Sequence, residues 1–123
     1  MNRFDRPAYA LLRIVTGFLF LWHGVGKVFG YPEPIPDLAW HVHWIAGPVE
    51  LIGGVLVMIG LFTRIAAFIC SGQMAFAYFM VHAKGGFLPT ENGGELAVLY
   101  CFVFLFIAAH GAGGFSVDGR RPA

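Results

Sequence analysis

Ionisable side chains interrupt the apolar stretches of this chain, and their types suit the binding of a small polar group. His23 and Lys27 stand four residues apart, and Glu50, His82 and Glu95 follow in or beside later apolar stretches. Histidine, glutamate and lysine can hydrogen-bond ligand oxygens and transfer protons. A charge in apolar surroundings is costly unless it is paired or solvated. These residues therefore indicate a pairing network or a binding site.

The composition predicts that lipid is the solvent for most of the chain. Of its 123 residues, 58% are hydrophobic and 12% are charged, whereas about a quarter of a soluble domain is charged. The formal net charge of +1 gives no basic surface for nucleic acid. Arg3 and Arg6 before an apolar run resemble a signal peptide, but the run continues to Phe29 without a small-residue cleavage site. We therefore expect a retained helix and an integral membrane protein.

Four stretches have the length of a helix that spans a bilayer, about 20 residues. The predicted helices cover residues 7–29, 44–62, 64–82 and 95–113. A proline-rich loop joins the first two, a tight turn at Thr63 and Arg64 joins the next two, and a glycine-rich loop precedes the last. The sequence thus predicts an all-α transmembrane four-helix bundle that occupies residues 1–123 as a single domain.

Lysine and arginine near the helix ends predict the orientation of the bundle. One side of the membrane would hold Arg3, Arg6, Arg64, Arg120 and Arg121. The opposite side would carry Lys27 and Lys84 together with several acidic residues. This bias predicts a multi-pass protein with both termini in the cytoplasm.

Helical periodicity predicts which side chains face the interior. Because a helix turns about 100° per residue, Arg13, Thr16, His23 and Lys27 fall within an arc of about 80° on the first helix. One side of each other helix is predicted in the same way. These sides consist of Gly47, Glu50, Gly53, Gly54 and Val57 on the second helix, of Ala66, Gln73, Ala77 and Met80 on the third, and of Glu95, Phe102, Phe106, Ala109 and Gly113 on the fourth.

Helical rise separates these residues by depth. His23, Lys27, Glu50, His82 and Glu95 would meet in the outer half of the bundle. Deeper, or in the cytoplasmic half, lie Arg13, Gln73 and His110. Arg13 is close enough to the inner surface for its guanidinium to reach water.

Two interpretations of the outer cluster stay open. In the first, it is a structural charge network in which Lys27 pairs with Glu50 or Glu95. In the second, it is a pocket for a small polar-headed ligand such as a quinone. A proton or substrate pathway is a third, less favoured interpretation. The candidate ligand-binding residues are His23, Lys27, Glu50, Gln73, His82 and Glu95. No catalytic residue is assigned and no metal site is expected, because His41 and His43 form a weak motif and Cys70 and Cys101 suit packing.

Three sequence fragments together resemble the DoxX family of small bacterial membrane proteins, from about Arg13 to Asp118. The first helix carries R-x-x-x-G-x-x-F-x-x-H-G-x-x-K from Arg13 to Lys27, and the second carries E-x-x-G-G-x-x-x-x-x-G from Glu50 to Gly60, followed by Thr63-Arg64. Near the end of the chain, G-x-G-x-x-S-x-D runs from Gly111 to Asp118. In this last fragment Asp118 could lock a helix end by pairing with Arg64 or Arg120.

The resemblance implies a four-helix protein of the bacterial inner membrane and suggests a redox role linked to quinone or quinol. With no redox domain of its own, the chain would need a bound quinone or a partner subunit. The rival hypothesis is a non-enzymatic assembly factor or scaffold, which would use its glycine-rich and aromatic helix faces for a membrane partner or for self-association. A small transporter is the third hypothesis, although four short helices leave little room for alternating access.

Overall fold

The computed structural model describes residues 3–30, 40, 42–79 and 94–120. Within these ranges the chain forms four α-helices and no strand. They are α1, Asp5–Phe29; α2, Gly47–Ile59; α3, Thr63–Ala77; and α4, Glu95–His110. A π-helical turn, Val42–Ala46, leads into α2, and a 3-10 turn, Asp118–Arg120, follows α4. The predicted all-α four-helix fold is confirmed.

Glycines end the helices earlier than the apolar pattern predicts. Gly60 adopts a left-handed φ of 74° and its N–H bonds back to the carbonyl of Leu56, so α2 ends at Ile59. Gly111, with φ 95°, likewise ends α4 at His110.

The predicted end of the third helix and most of both long loops lie outside the described residues. The single-domain boundary stays a prediction.

The helices present an apolar surface. α1 has the length and hydropathy of a membrane span, while His43–Ile59 and Glu95–His110 are apolar but shorter among the described residues. Large side chains such as Phe18, Phe68 and Phe102 are exposed over the outer faces. A surface this rich in exposed apolar side chains suits lipid rather than water.

The closest packing joins α1 to α2. A Cβ atom on Gly17 would lie 2.6 Å from the carbonyl oxygen of Gly54 and 2.6 Å from the backbone nitrogen of Met58. The two backbones therefore touch, as small residues allow in membrane helices. α3 and α4 form the second close pair, where the Ser71 hydroxyl donates to the carbonyl of Cys101 at 2.7 Å.

The core lies between the two helix pairs. Its fully buried members include Phe20, Val57, Ala67, Phe104 and Ile107. The α1–α2 pair and the α3–α4 pair meet through this core, where the ring of Phe20 on α1 contacts the rings of Tyr100 and Phe104 on α4. The core fixes the two pairs against each other.

Candidate functional site

Glu50 is the centre of a buried polar cluster that joins three helices. Its side chain is 1% exposed, and its Oε2 atom accepts hydrogen bonds from Lys27 Nζ on α1 and Gln73 Nε2 on α3, both at 2.5 Å. Gly47, Gly53 and Gly54 share its buried side of α2, so neighbouring helices can approach the carboxylate. We call Lys27, Glu50 and Gln73 the Glu50 cluster. The contact with Lys27 is an ion pair, and charge-assisted bonds of this kind are among the stronger hydrogen bonds in proteins.

The second carboxylate oxygen of Glu50, Oε1, has a different environment from Oε2. Glu50 Oε1 is buried, and no atom of the described residues makes a hydrogen bond to it. A buried acceptor without a donor costs about 1–3 kcal/mol. Native proteins therefore rarely keep such a group without an unseen water, ion or ligand. The unpaired oxygen is the feature of this site that most directly indicates a bound water, ion or ligand.

A cavity of about 270 Å³ lies against the Glu50 cluster. His23, Lys27 and Glu50 supply its polar wall. Its apolar wall consists of Phe20, Met74, Ala77, Leu96, Ala97 and Tyr100. A cavity of about 150 Å³ is enough for benzene, so this space accommodates one substituted ring. It does not accommodate a whole lipid molecule.

His23 belongs both to the cavity wall and to the surface of the bundle. The residue is exposed although it lines the cavity, and its ring packs edge-on against Tyr100 with the ring centroids 5.8 Å apart. This contact joins α1 to α4 beside the cavity.

Two predicted members of the cluster lie at different places from those expected. Gln73 bonds Glu50 directly, so its expected deeper position is wrong. Glu95 is exposed on the outer face of α4, does not line the cavity, and makes no contact with Lys27 within the described residues. His82 lies outside the described residues.

The face predicted for the fourth helix is the wrong one. Phe102 and Phe106 are exposed, 64% and 53% respectively, and Glu95 shares their side. The buried side of α4 consists of Ala97, Tyr100, Phe104 and Ile107. Almost every residue of α4 is apolar, so periodicity alone could not distinguish the core from the lipid side.

His43 contacts the end of α1. The Nδ1 atom of His43 lies 2.7 Å from the carbonyl oxygen of Lys27, so its ring is held against the end of α1 rather than free in water. His41 lies outside the described residues. Groups of three or more His, Cys, Asp or Glu that could hold a metal ion do not occur in the described part of the chain.

Arg13 forms a second buried polar centre toward the other end of α1 and α2. It is 0% exposed, and its Nε donates to the carbonyl of Val57 at 3.1 Å. Its terminal nitrogens donate to the carbonyls of Ala112 at 2.6 Å, Gly114 at 3.0 Å and Phe115 at 2.7 Å. The expectation that Arg13 reaches water was wrong, because the chain after α4 folds over it and presents backbone carbonyls.

Asp118 and Arg64 complete this end of the bundle. The Asp118 carboxylate accepts hydrogen bonds from the backbone N–H of Phe62 at 3.1 Å and from the N–H and hydroxyl of Thr63, each at 2.9 Å. It therefore caps α3 from a distant part of the sequence. Arg64 donates to the carbonyls of Ala108 and Ala109 at the end of α4.

Asp118 therefore locks a helix end, but it does so at the start of α3, and the predicted pairing with Arg64 is wrong because that guanidinium bonds the end of α4. We call Arg13, Arg64 and Asp118, with the segment they hold, the C-terminal latch. Glycines after α4 signal this arrangement in the sequence, because they end the helix and let the following segment turn its carbonyls toward the buried guanidinium of Arg13.

Comparison with known proteins gives the family. The DoxX family model matches residues 8–83. This chain belongs to the DoxX family. The match includes all three members of the Glu50 cluster and Arg13, whereas the segment held by the latch lies beyond it.

Relatives of this DoxX protein cover most of its length. A Haemophilus influenzae protein named "Uncharacterized protein" is 41% identical over 98% of this chain and 97% of its own. A Bacillus subtilis relative, named "Putative oxidoreductase CatD", is 32% identical over 80% of this chain and 78% of its own. A Mycobacterium tuberculosis relative, named as an uncharacterized membrane protein, is 29% identical over 93% and 81%. No solved structure matches the chain significantly.

Family membership and the membrane relative make a bacterial membrane the environment of this protein. Its apolar outer faces are therefore lipid-facing.

Proposed function

We propose that this DoxX protein is a small subunit of a membrane redox system and binds quinone or quinol at the Glu50 cluster. The observation that carries the proposal is the buried Glu50, which lines a cavity of about 270 Å³ and whose Oε1 has no donor among the described residues. The name of the Bacillus subtilis relative, an oxidoreductase, supports the redox class.

The walls of the cavity suit the two parts of such a ligand. Lys27 carries three N–H donors and uses one on Glu50, which leaves donors for a ring oxygen. Phe20 and Tyr100 offer aromatic surface to the ring. An isoprenoid tail would leave past His23 and Leu96 into the lipid. Of the predicted site residues, this assignment keeps His23, Lys27, Glu50 and Gln73.

The protein would exchange electrons only through its ligand or a partner. The sequence has no C-x-x-C pair and no dinucleotide-binding motif that opens a helix after a strand. We therefore assign it the role of presenting quinone or quinol to a membrane or membrane-associated partner, and we assign no catalytic residue within this chain.

The proposed topology places the C-terminal latch at the cytoplasmic face of the inner membrane. Arg6 lies near Gly114, and Arg64 lies at the end of α4, so these cations gather at one end of the bundle. Cations near helix ends favour the cytoplasmic side. All four helices would then cross the membrane, with both termini inside and the Glu50 cluster in the outer half.

Mass spectrometry of small molecules extracted from the gently purified protein tests this function. We expect stoichiometric quinone with the wild type and with Glu95→Gln, which changes the same kind of side chain outside the cavity. The Glu50→Gln protein should retain less than about a tenth of the quinone found with the wild type, since a site built on hydrogen bonds loses much of its affinity when its polar group changes. Equal retention by a folded Glu50→Gln protein would show that the site is elsewhere.

The assembly-factor hypothesis makes the opposite prediction in the same experiment. The glycines that it would offer to a partner are largely used inside the chain, since Gly17 and Gly54 hold α1 against α2. A wild-type protein without small molecules but with a stoichiometric protein partner would favour the scaffold role, and the Glu50 cluster would then be a structural charge network.

A further inference from the structure

We infer that Tyr100 is a further ligand-contacting residue, whose hydroxyl makes a hydrogen bond to a ring oxygen of the bound quinone or quinol. This inference rests on the proposed function and adds a polar contact from α4 to a cluster formed by α1, α2 and α3. It follows from where the Tyr100 hydroxyl lies and from the partner that this hydroxyl lacks within the fold.

Tyr100 is almost completely covered by the bundle. The residue is 8% exposed and belongs to the core, yet it also lines the cavity beside the Glu50 cluster. His23 lines the same cavity but is exposed, so its ring nitrogens can find partners outside the protein. The buried hydroxyl of a tyrosine usually has a hydrogen-bond partner. For Tyr100 that partner has to lie in the fold or in the cavity.

The fold does not supply this partner. The Tyr100 hydroxyl makes no hydrogen bond within the part of the chain that the structure describes. Among those residues, Glu50 Oε1 is the unpaired side-chain atom that is sealed from any neighbouring space. The Tyr100 oxygen is unpaired but not sealed, so it keeps accessible surface. Because so little of the residue is exposed, that surface belongs to the cavity wall.

Aromatic contacts hold the hydroxyl in place. The Tyr100 ring stacks on Phe104 at an interplanar angle of 19° and packs against Phe20 with the ring centroids 5.1 Å apart. His23 meets the ring edge-on. A ring held by three neighbours has little freedom to turn, so its hydroxyl is preorganised for a ligand. Polar groups placed in this way on a mostly apolar wall give a pocket its specificity.

The chemistry of a phenol hydroxyl defines the ligand class. This group is both a donor and an acceptor. It can donate to a quinone carbonyl, and it can donate to or accept from a quinol hydroxyl, so the contact suits both oxidation states. A ring without oxygen would leave the Tyr100 hydroxyl unpaired inside the bundle, which is costly. The site therefore favours rings that carry oxygen over hydrocarbon rings of the same size.

Titrations of decylubiquinone test the inference on the full-length protein in lipid nanodiscs, after endogenous small molecules have been removed. Tyr100→Phe deletes the hydroxyl and keeps the ring, so decylubiquinone should bind about three- to tenfold more weakly, the effect of one lost hydrogen bond. The thermal unfolding temperature of the ligand-free protein should not fall, because the hydroxyl has no partner among the described residues.

Tyr9→Phe is the matched control and should give the opposite pattern. The Tyr9 hydroxyl donates to the carbonyl of Gly111 at 2.5 Å, and Tyr9 does not line this cavity. Its loss should lower the unfolding temperature and leave the affinity for decylubiquinone unchanged.

Infrared spectra of bound decylubiquinone provide a direct readout of the contact. A carbonyl that accepts a hydrogen bond absorbs at a lower frequency than a free one. The carbonyl band should therefore be shifted downward in the wild type, and it should move back toward the free value in Tyr100→Phe.

The outcomes separate this inference from the function on which it rests. Equal affinity of the wild type and Tyr100→Phe, or an unchanged carbonyl band, would overturn the role of Tyr100 while leaving a quinone site in place. A Tyr100→Phe protein that fails to fold, or unfolds as early as Tyr9→Phe, would also overturn it, because the hydroxyl would then serve the fold. If the wild type bound no decylubiquinone, the proposed function would fall as well.

Discussion

The Glu50 cluster and the C-terminal latch are both buried polar clusters on α1 and α2, but they differ in how completely they are paired. In the latch each guanidinium nitrogen of Arg13 donates to at least one backbone carbonyl. In the Glu50 cluster one oxygen has no donor among the described residues. A fully paired cluster stabilises the fold, whereas a buried acceptor without a donor costs free energy, and this difference is what the proposed ligand site rests on.

The two clusters also differ in what they join. Arg13 binds carbonyls at the end of α2 and in the segment after α4, so it fixes backbone to backbone. Glu50 joins side chains from three helices, each of which can change rotamer. The C-terminal latch is thus rigidly paired, while the side chains of the Glu50 cluster can adapt. A binding site supported by a stable frame requires both.

The largest effect is expected from removing the centre of the latch. Arg13→Met keeps much of the volume but leaves several buried carbonyls without donors, so the free energy of unfolding should fall by about 3 kcal/mol or more. Thermal unfolding in mild detergent measures this.

Arg64→Met is the matched control for that change, because its exposed guanidinium also bonds carbonyls at a helix end. It should lower stability by under about 1 kcal/mol. Equal losses in the free energy of unfolding for the two variants would show that the burial of Arg13 adds nothing to stability. The contrast between the two clusters would then weaken.

An intermediate effect is expected where α1 and α2 touch between the two clusters. A methyl group on Gly17 would meet the backbone of α2 at 2.6 Å, so Gly17→Ala should cost about 1–3 kcal/mol by forcing the helices apart. It should also weaken ligand binding, since Lys27 and Glu50 lie on the two helices that separate.

Gly72→Ala supplies the control in the same unfolding and binding assays. Gly72 has open space around the position of a Cβ, and alanine favours the helix by up to about 1 kcal/mol. If Gly17→Ala were as stable as Gly72→Ala, the close α1–α2 contact would not be the frame that positions the Glu50 cluster.

The smallest effect is expected at the cap of α3. Asp118→Ala removes three hydrogen bonds to Phe62 and Thr63, and the loss of a helix cap lowers stability by about 1 kcal/mol. Asp5→Ala, which changes an exposed acid in the first turn of α1, should have little effect. Ligand binding should not change in either variant, and a loss in Asp118→Ala would show that the two clusters are coupled.

Much of the fold and part of the site follow from local patterns. The interior side of α2 was predictable because glycines and one acid recur among larger apolar residues, and Gly47, Glu50, Gly53 and Gly54 are all buried. The inner side of α4 was not predictable, because an apolar residue suits the core and the lipid equally. Gln73 was misplaced in depth because helical rise ignores how far a long side chain reaches.

The sequence by itself determined that this chain is an all-α membrane protein of the DoxX type, since composition, helix length and motif spacing are local properties. Only the tertiary structure decided which partner Lys27 takes, that Arg13 is enclosed by carbonyls, and that Asp118 caps α3. These contacts join residues 23 to 102 positions apart in the chain. Their geometry depends on the packing of whole helices, which sequence spacing does not specify.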